Sequence, residues 1–109
     1  MRGTCAVRFT RRYDAPPAEV WAALTDGDSL ARWLGPPDEA TVRALAPGRL
    51  LELEWPDGAH GPSLVRFELS PDGGGTVLVL DHTRIDAAAG MRALARWERR
   101  LAHLDGLVA

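Results

Sequence analysis

The stretch of the chain whose residue types most directly suggest chemistry is TVLVLDHTRID, Thr76 to Asp86. A run of β-forming residues ends there at Asp81 and His82, and an Asp beside a His suggests a general-base pair, in which a carboxylate orients an imidazole. In a strand, however, successive side chains point to opposite faces of the sheet. Asp81 and His82 therefore cannot converge on one substrate atom, and only one of them can face the interior.

Length and composition narrow the classes of protein to consider. The 109 residues are 46% hydrophobic and 26% charged with a formal charge of −2, which predicts one globular domain, 1–109, without the basic excess that nucleic-acid binding requires. Cys5 is the only cysteine, which leaves no internal disulfide or cysteine-based metal cluster. No apolar run reaches membrane-spanning length, so we expect no membrane partner and a cytoplasmic location. The Ala, Arg and Gly content favours a bacterial origin by association alone.

The first third of the chain predicts a strand followed by two short helices. Thr4 to Tyr13 alternates between a mostly apolar and a mostly polar face. The DAPP sequence then ends the strand, and proline at a first helical turn costs little because that N–H has no partner. The apolar residues predicted for the first helix are Val20, Trp21 and Leu24, and those for the second are Leu30, Trp33 and Leu34.

The remainder predicts four antiparallel strands and one long helix. The strands are expected at Ala40 to Ala46, Arg49 to Trp55, Ser63 to Ser70 and Thr76 to Asp86, and the helix at Ala87 to about Val108. The apolar stripe predicted for this helix consists of Met91, Leu94, Leu101, Leu104 and Val108 with Trp97 beside them, and its polar face carries Arg92, Arg96, Arg99, Arg100 and His103. A one-sided sheet must be covered, and only this helix is long enough to do so. The fold class is therefore α+β.

Three stretches carry a resemblance to a known superfamily. FTRRYDAPPAEVWAALTDGDSLARWLGP, SLVRFELSPDGGGTVLVLDHT and RWERRLAHLDGLVA resemble the START-like or SRPBCC superfamily, the helix-grip fold of the birch-pollen allergen. The nearest branch is that of the activator-of-heat-shock-ATPase homologues. The resemblance implies a curved sheet wrapped around the C-terminal helix, with a cavity between them for hydrophobic small molecules such as lipids or polyketides.

One departure from that superfamily bears on the cavity. Its members usually carry a further hairpin between the helix pair and the strands that correspond to Ala40 to Trp55. This chain passes almost directly from ARWLGPPDE into ATVRALAPGRLLELEW, so we expect five strands in the order 1-5-4-3-2. Ala40 to Ala46 then becomes an exposed edge, and exposed edges template pairing with another chain. We expect either a homodimer through this edge or a very shallow pocket.

The superfamily's register implies which residues face the cavity. It turns Leu78, Leu80 and His82 inward and Asp81 outward. If Phe9 lies opposite Leu78 in the neighbouring strand, Cys5 lies opposite His82, an arrangement that could activate a thiol but is more often a buried cysteine beside a histidine. The residues expected to line or flank the binding site are Trp33, Trp55, Phe67, Leu80, His82, Met91, Leu94, Trp97 and Leu101.

Three functions fit these expectations. The leading one is binding of a hydrophobic small molecule, with His82 as a polar contact or else only as a hydrogen-bonded histidine at a strand end. The second is a polyketide-cyclase-like enzyme in which His82 or Arg11 steers proton transfer, although Arg11 is more simply a strand-end side chain reaching water. The third is a protein-interaction module of the chaperone-activator kind. No catalytic constellation, metal site or cofactor is predicted, because the three histidines have no ligand-type spacing.

Overall fold

The computed structural model of the chain describes residues 3–26, 41–55 and 62–108, without the side chain of Thr41. Its strands are β1 (Thr4–Tyr13), β2 (Thr41–Ala46), β3 (Leu50–Trp55), β4 (Ser63–Asp72) and β5 (Gly75–Asp86). Its helices are α1 (Pro17–Thr25) and α2 (Gly90–Val108), with a 3-10 turn at Ala87–Ala89 before α2. The second short helix expected around Leu30 and Leu34 lies outside the described residues, as does Trp33.

The strands form one antiparallel sheet in the order β1-β5-β4-β3-β2, which confirms the predicted order. The β4–β5 hairpin turns at Gly73 and Gly74, whose φ angles of 55° and 90° are the left-handed values that such turns require and that glycine adopts without strain. The turn between β2 and β3 likewise contains Gly48 at a φ of 80°. These three glycines therefore mark two hairpin turns of the sheet.

The core lies between the inner face of the sheet and the two helices. α2 contacts β1, β5 and α1, and α1 contacts β4 and β5. The apolar residues that are less than 2% exposed come from both layers: Val20, Leu24, Val65, Phe67, Leu78, Leu80, Trp97, Leu101 and Leu104. This is the predicted α+β helix-grip architecture, with the long helix covering the one apolar face of the sheet.

The buried stripe of α2 agrees with the predicted one at Trp97, Leu101 and Leu104 and differs from it at the start of the helix. Its buried residues are Ala93, Trp97, Leu101 and Leu104, at the four- and three-residue spacings of one helix face. Met91 is 80% exposed, so its placement on the pocket wall was wrong. The helix begins close to the sheet, where a Cβ on Gly90 would lie 2.8 Å from the sulfur of Cys5. The small Ala93 faces the sheet, and Met91 points away from it.

The register between β1 and β5 also differs from the predicted one, by two residues. Phe9 lies opposite Leu80 and Val7 opposite His82, whereas Cys5 lies opposite Ile85. A bulge between these pairs inserts an extra residue into β5, and Arg84 within it has a φ of 60°, a left-handed value that is rare for a residue with a side chain. The predicted Cys5–His82 pair was therefore wrong, but a shift of two preserves which face each side chain takes.

The outer face of the sheet carries a row of alternating charges, which we call the charge row: Arg8 of β1, Asp81 of β5, Arg66 of β4, Glu52 of β3 and Arg43 of β2. Arg8 binds Asp81 through both carboxylate oxygens, at 2.6 and 3.2 Å. Glu52 lies 3.6 Å from Arg66 on one side and 3.6 Å from Arg43 on the other. Asp81 thus faces outward, as the superfamily's register implied.

The β2 strand forms one edge of the sheet, as predicted for the segment that ends at Ala46. Val42 and Leu45 are 56% and 57% exposed, and both lie opposite inward-facing leucines of β3 because a bulge at Arg43 shifts the register between them. Exposed apolar side chains favour a contact, whereas a bulge and a charge on an edge strand discourage strand-to-strand pairing. Dimerisation through this edge stays a prediction.

Candidate functional site

A buried chain of hydrogen bonds links α2 to the ends of β4 and β5. The indole Nε1–H of Trp97 donates to Nδ1 of His82 at 2.8 Å. The other ring nitrogen of His82, Nε2, lies 3.0 Å from the hydroxyl oxygen of Ser63. The three residues are 1%, 6% and 1% exposed, respectively, so the whole chain is shielded from water. We call it the Trp–His–Ser chain.

The chemistry of the indole fixes the direction of these bonds. An indole N–H can only donate, so Nδ1 of His82 must be the accepting, unprotonated nitrogen. The neutral imidazole then carries its proton on Nε2 and donates it to the Ser63 oxygen. The Ser63 oxygen is therefore the acceptor of this second bond. In this tautomer His82 cannot take a proton from Ser63, so the pair is not an activated nucleophile.

Strand pairing brings the residues of the chain together. Ser63 opens β4 and lies directly opposite Trp55, the last residue of β3. His82 lies opposite Val65, one inward position further along β4. Ser63, Val65 and Phe67 share one face of β4 because side chains two residues apart in a strand point the same way, and each of them is buried. The site therefore forms where the β3–β4 hairpin meets α2.

Aromatic rings surround the Trp–His–Ser chain. The ring centroids of Trp55 and Trp97 are 6.2 Å apart in an edge-to-face arrangement, and those of Trp55 and His82 are 6.3 Å apart. Phe67 packs edge-to-face on Trp97 at 6.0 Å. Trp55 is partly exposed, whereas Trp97 and Phe67 are buried, so the cluster extends from the core to the surface. Such rings form large, stiff apolar walls.

Arg100 covers the outer side of this cluster. Its guanidinium carbon lies 4.8 Å from the centroid of the Trp97 ring and 5.7 Å from that of Trp55. Both distances are within the range of a cation–π interaction. Arg100 is only partly exposed, unlike Arg92, Arg96 and Arg99 on the same helix. The expectation that it belongs to the solvated face of α2 was therefore wrong.

The residues predicted to form the site fall into three groups. Trp55, Phe67, His82 and Trp97 lie together in the cluster just described. Leu80 and Leu101 are fully buried in the same core, and Leu94 is partly buried on α2. Met91 points to solvent, and Trp33 lies outside the described residues. For the predicted residues other than Met91, a role in binding stays a prediction.

Sequence reasoning missed Ser63 and Arg100. Ser63 could have been found, because it has the same strand parity as the inward Val65 and Phe67, and a polar residue at an inward position suggests a hydrogen-bonded site. Arg100 has no such signal. It follows Trp97 by three positions, and the sequence does not reveal whether so long a side chain folds back over an indole or extends into water.

Arg11, which was considered for proton transfer, lies near the end of β1 and away from the Trp–His–Ser chain. Its guanidinium is 5.6 Å from the Phe9 ring centroid and donates to the carbonyl oxygen of Thr10 at 3.4 Å. It borders a surface depression of about 370 Å³ that also includes Tyr13 and Asp105. There the Tyr13 hydroxyl donates to Asp105 at 2.7 Å, and burial, followed by this bond, raises the pKa of Tyr13.

The described residues contain no group of three or more His, Cys, Asp or Glu side chains close enough to hold a metal ion. None of the helices within the described ranges has the length and apolar character to cross a membrane. The polar chemistry that the described part of the chain offers at the site therefore comes from an indole, an imidazole, a hydroxyl and a guanidinium.

Comparisons with known structures show the same architecture. CalU16 from Micromonospora echinospora is 25% identical over 100% of this chain and 85% of its own, with a TM-score of 0.82. A protein from Bordetella parapertussis, encoded by the gene BPP1335, is 31% identical over 95% of this chain and 74% of its own, with a TM-score of 0.80. DynU16, a protein in the dynemicin biosynthetic locus, shares the fold at 21% identity over 92% of this chain and 45% of its own, with a TM-score of 0.77.

A search of curated proteins finds no match to this sequence. A family model does match: that of the Activator of Hsp90 ATPase homolog 1-like proteins, over residues 35–109. This range covers well over half of the chain and includes β2 to β5 and α2. It corresponds to the branch of the SRPBCC superfamily that the sequence motifs resemble. The chain belongs to the Activator of Hsp90 ATPase homolog 1-like family.

Proposed function

We propose that this protein binds a hydrophobic small molecule between its sheet and α2, at the end of the core where Trp55 and the Trp–His–Ser chain lie. The family fold supports a ligand-binding role, and DynU16 belongs to a biosynthetic locus. The partly exposed Trp55 and the aromatic rings behind it supply apolar walls that begin at the surface. The ligand enters along Trp55, beside the polar groups of the Trp–His–Ser chain.

The observation that carries this proposal is the buried Trp–His–Ser chain. Burying polar groups is costly unless each is hydrogen-bonded, and an apolar cluster of the same shape would be at least as stable. Three polar side chains have nevertheless been placed in a row within the core, and their bonds run in one direction toward the hydroxyl. A small number of placed polar groups among apolar walls is the arrangement with which ligand sites orient a molecule.

The same geometry argues against the cyclase-like alternative. A general base must present a free lone pair to the proton it removes. Trp97 occupies the lone pair of His82 Nδ1, and Nε2 carries the proton. Arg11, the other residue considered for proton transfer, lies beside Phe9 and Thr10 at the far end of β1. The interaction-module alternative rests on the exposed Val42 and Leu45 of β2, which are not part of this site.

Thermal unfolding in the presence of hydrophobic probes tests the proposal. A panel of 1-decanol, decanoate, a steroid and a flat polycyclic aromatic should contain at least one compound that raises the Tm. A ligand that binds only the folded state stabilises it by about 2.7 kcal/mol at one hundred times its dissociation constant. If none of the compounds raises the Tm of the parent protein, the proposal fails.

Two tryptophan variants locate the site. Trp55→Leu should abolish most of the ligand-dependent rise in Tm, because it removes the ring at the surface end of the cluster. Trp21→Leu is the matched control, since Trp21 is also partly buried but belongs to α1. Trp97 is unsuitable as the first target, because truncating a fully buried tryptophan costs about 3–5 kcal/mol on its own. Equal loss of binding in both variants would contradict the location.

A further inference from the structure

The outer face of the sheet has no covering layer among the described elements. The buried residues of α1 and α2 belong to the core on the inner face, so neither of these helices packs on the charge row. An antiparallel sheet can leave one of its faces to water, and a solvated face needs polar side chains but no particular shape. The charge row has in addition a shape and an order of charges that suit a second molecule.

The charge row is interrupted in its middle, between β5 and β4. Asp81 and Arg66 lie directly opposite each other in this pair of strands. Asp81 nevertheless pairs with Arg8 on one side, and Arg66 lies 3.6 Å from both Glu52 and Glu68 on the other. Within the part of the chain that the structure describes, Asp81 and Arg66 form no ion pair with each other. The row thus contains two separate ion-paired groups, one on each side of the interruption.

A surface depression of about 440 Å³ lies at this interruption. Its lining comes from both sides and includes Arg8, Glu52, Leu64, Arg66, Asp81 and Thr83. The arginine side chains at 8 and 66 are 69% and 44% exposed, whereas the carboxylate side chains at 81 and 52 are 24% and 18% exposed. The arginines therefore protrude around the depression and the carboxylates are recessed in it. Such a surface accepts protruding cationic side chains from another molecule.

The four charged residues of the depression are complementary to themselves under one symmetry operation. In the order of the strands their charges alternate: Arg8 of β1, Asp81 of β5, Arg66 of β4 and Glu52 of β3. A twofold axis parallel to the strands and between β5 and β4 reverses this order in a second copy that faces the first. Arg66 of each copy then lies over Asp81 of the other, and Arg8 over Glu52. A twofold interface uses the same patch on both subunits, so each of these contacts occurs twice.

We propose that two copies of this chain associate through the outer faces of their sheets, about a twofold axis between β5 and β4. Arg66 of the second copy enters the depression and pairs with Asp81. The proposal does not depend on the small-molecule site, which lies on the inner face of the sheet. It also differs from the dimer predicted at the edge strand β2, because Val42 and Leu45 take no part in it.

Sedimentation and light scattering of the parent chain over a range of protein concentrations test for this dimer. Exposed ion pairs are individually weak and are screened by salt. The screening length is about 10 Å at 0.1 M salt and about 3 Å at 1 M salt. We therefore expect a reversible dimer at the lower salt concentration that dissociates at the higher one. A chain that stays monomeric at low salt overturns the proposal, and so does a dimer that tightens as salt is added.

Two charge reversals locate the interface. Asp81→Arg and Arg66→Asp each turn two attractive contacts into two repulsive ones, because the symmetry repeats every contact. From the usual strength of exposed ion pairs, we expect the dissociation constant of the dimer to rise roughly tenfold or more in each variant. An equimolar mixture of the two variants restores opposite charges in both central contacts, so it should dimerise more tightly than either variant alone. A mixture that dimerises no better than its components would overturn the proposal.

Two control variants separate this interface from other modes of association. Arg99→Asp makes the same change of charge as Arg66→Asp at an exposed position of α2 and should leave the dimer intact. An equal weakening by both would show that general charge, and not the row, controls association, which contradicts the proposal. Leu45→Asp alters the edge strand β2 and should also leave the dimer intact. If Leu45→Asp abolishes the dimer while Arg66→Asp retains it, the interface is the edge and the proposal fails.

Neutral variants keep the test available if a charge reversal prevents folding, which circular dichroism would reveal. Asp81→Asn and Arg66→Gln remove one charge each without introducing the opposite one. Each should raise the dissociation constant less than the corresponding reversal does, because it removes attraction without adding repulsion. A dissociation constant that is unchanged in both neutral variants would refute the proposed contacts.

Discussion

Replacing Ser63 with alanine tests whether the Trp–His–Ser chain exists as described. The substitution removes the oxygen that lies 3.0 Å from His82 Nε2. His82 is 6% exposed and position 63 only 1%, so water cannot readily take the place of the hydroxyl. A buried donor that loses its acceptor costs about 1–3 kcal/mol. We expect Ser63→Ala to lower the free energy of unfolding by that amount.

Ser70→Ala is the matched control for this measurement. Ser70 lies on the same strand, β4, but is exposed, and surface substitutions usually change stability by less than about 0.5 kcal/mol. In a domain of about this size, each kcal/mol lowers the Tm by roughly 4–8 °C, so thermal and urea unfolding readily separate the two variants. If Ser63→Ala unfolds within about 0.5 kcal/mol of Ser70→Ala, the reasoning about the chain is refuted.

The direction of the hydrogen bonds in the Trp–His–Ser chain has its own readout. Nitrogen-15 NMR of the imidazole distinguishes a protonated ring nitrogen from an unprotonated one. We expect the parent protein to show the Nε2–H tautomer of His82, because the indole of Trp97 donates to Nδ1. Trp97→Phe removes that donor and should release the constraint on the tautomer. An Nδ1–H tautomer in the parent protein would contradict the assignment and reopen a base role toward Ser63.

Three further substitutions test the backbone and the far end of the core. Arg84→Gly should raise stability by up to about 1 kcal/mol in thermal unfolding, because residue 84 has a φ of 60°. An unchanged or lower Tm would contradict this. Gly75→Ala should lower stability by about 1–3 kcal/mol in urea, because its Cβ would lie 2.5 Å from the Tyr13 carbonyl oxygen, whereas Gly3→Ala should be neutral. Burial and the hydrogen bond to Asp105 raise the pKa of Tyr13, so the folded chain keeps a proton that the unfolded chain loses from about pH 10 upward. Stability should thus be unaffected below about pH 10 and fall above it, and Tyr13→Phe should flatten that fall in unfolding curves measured across this range.

Hydrophobic alternation was sufficient to predict the strands but not their register. The predicted register opposed Phe9 to Leu78, and the structure opposes it to Leu80. A shift of two residues leaves every apolar side chain on the inner face, so the core cannot distinguish the two registers. The outer face can distinguish them, because only the observed register places Arg8 directly opposite Asp81. Oppositely charged cross-strand pairs carry register information that apolar patterns lack.

The inward direction of His82 was predicted from the sequence, but its hydrogen-bond partners were not. Strand parity alone separated Asp81 from His82, and the superfamily resemblance turned His82 inward, as the structure confirms. The hydrogen-bond partners of His82 were not predicted. Ser63 and Trp97 lie on another strand and on a helix, and sequence periodicity does not give the relative placement of these elements. The prediction that Met91 faces the core was wrong because it considered only large apolar residues. The small Ala93 takes the buried position instead. Close packing near Gly90 favours a small residue there.

The pairing of the first strand with the last has a consequence for synthesis. Arg8 and Asp81 are 73 residues apart, so β1 leaves the ribosome long before β5 exists. At about 5–20 residues per second, that interval lasts roughly 4–15 seconds. Meanwhile β1 is an unpaired strand whose Val7 and Phe9 have no core to enter. Arg8 and Arg12 alternate with these residues, and charges on an open strand discourage pairing with other chains. The arginines that align β1 in the folded sheet thus also protect the nascent chain from association.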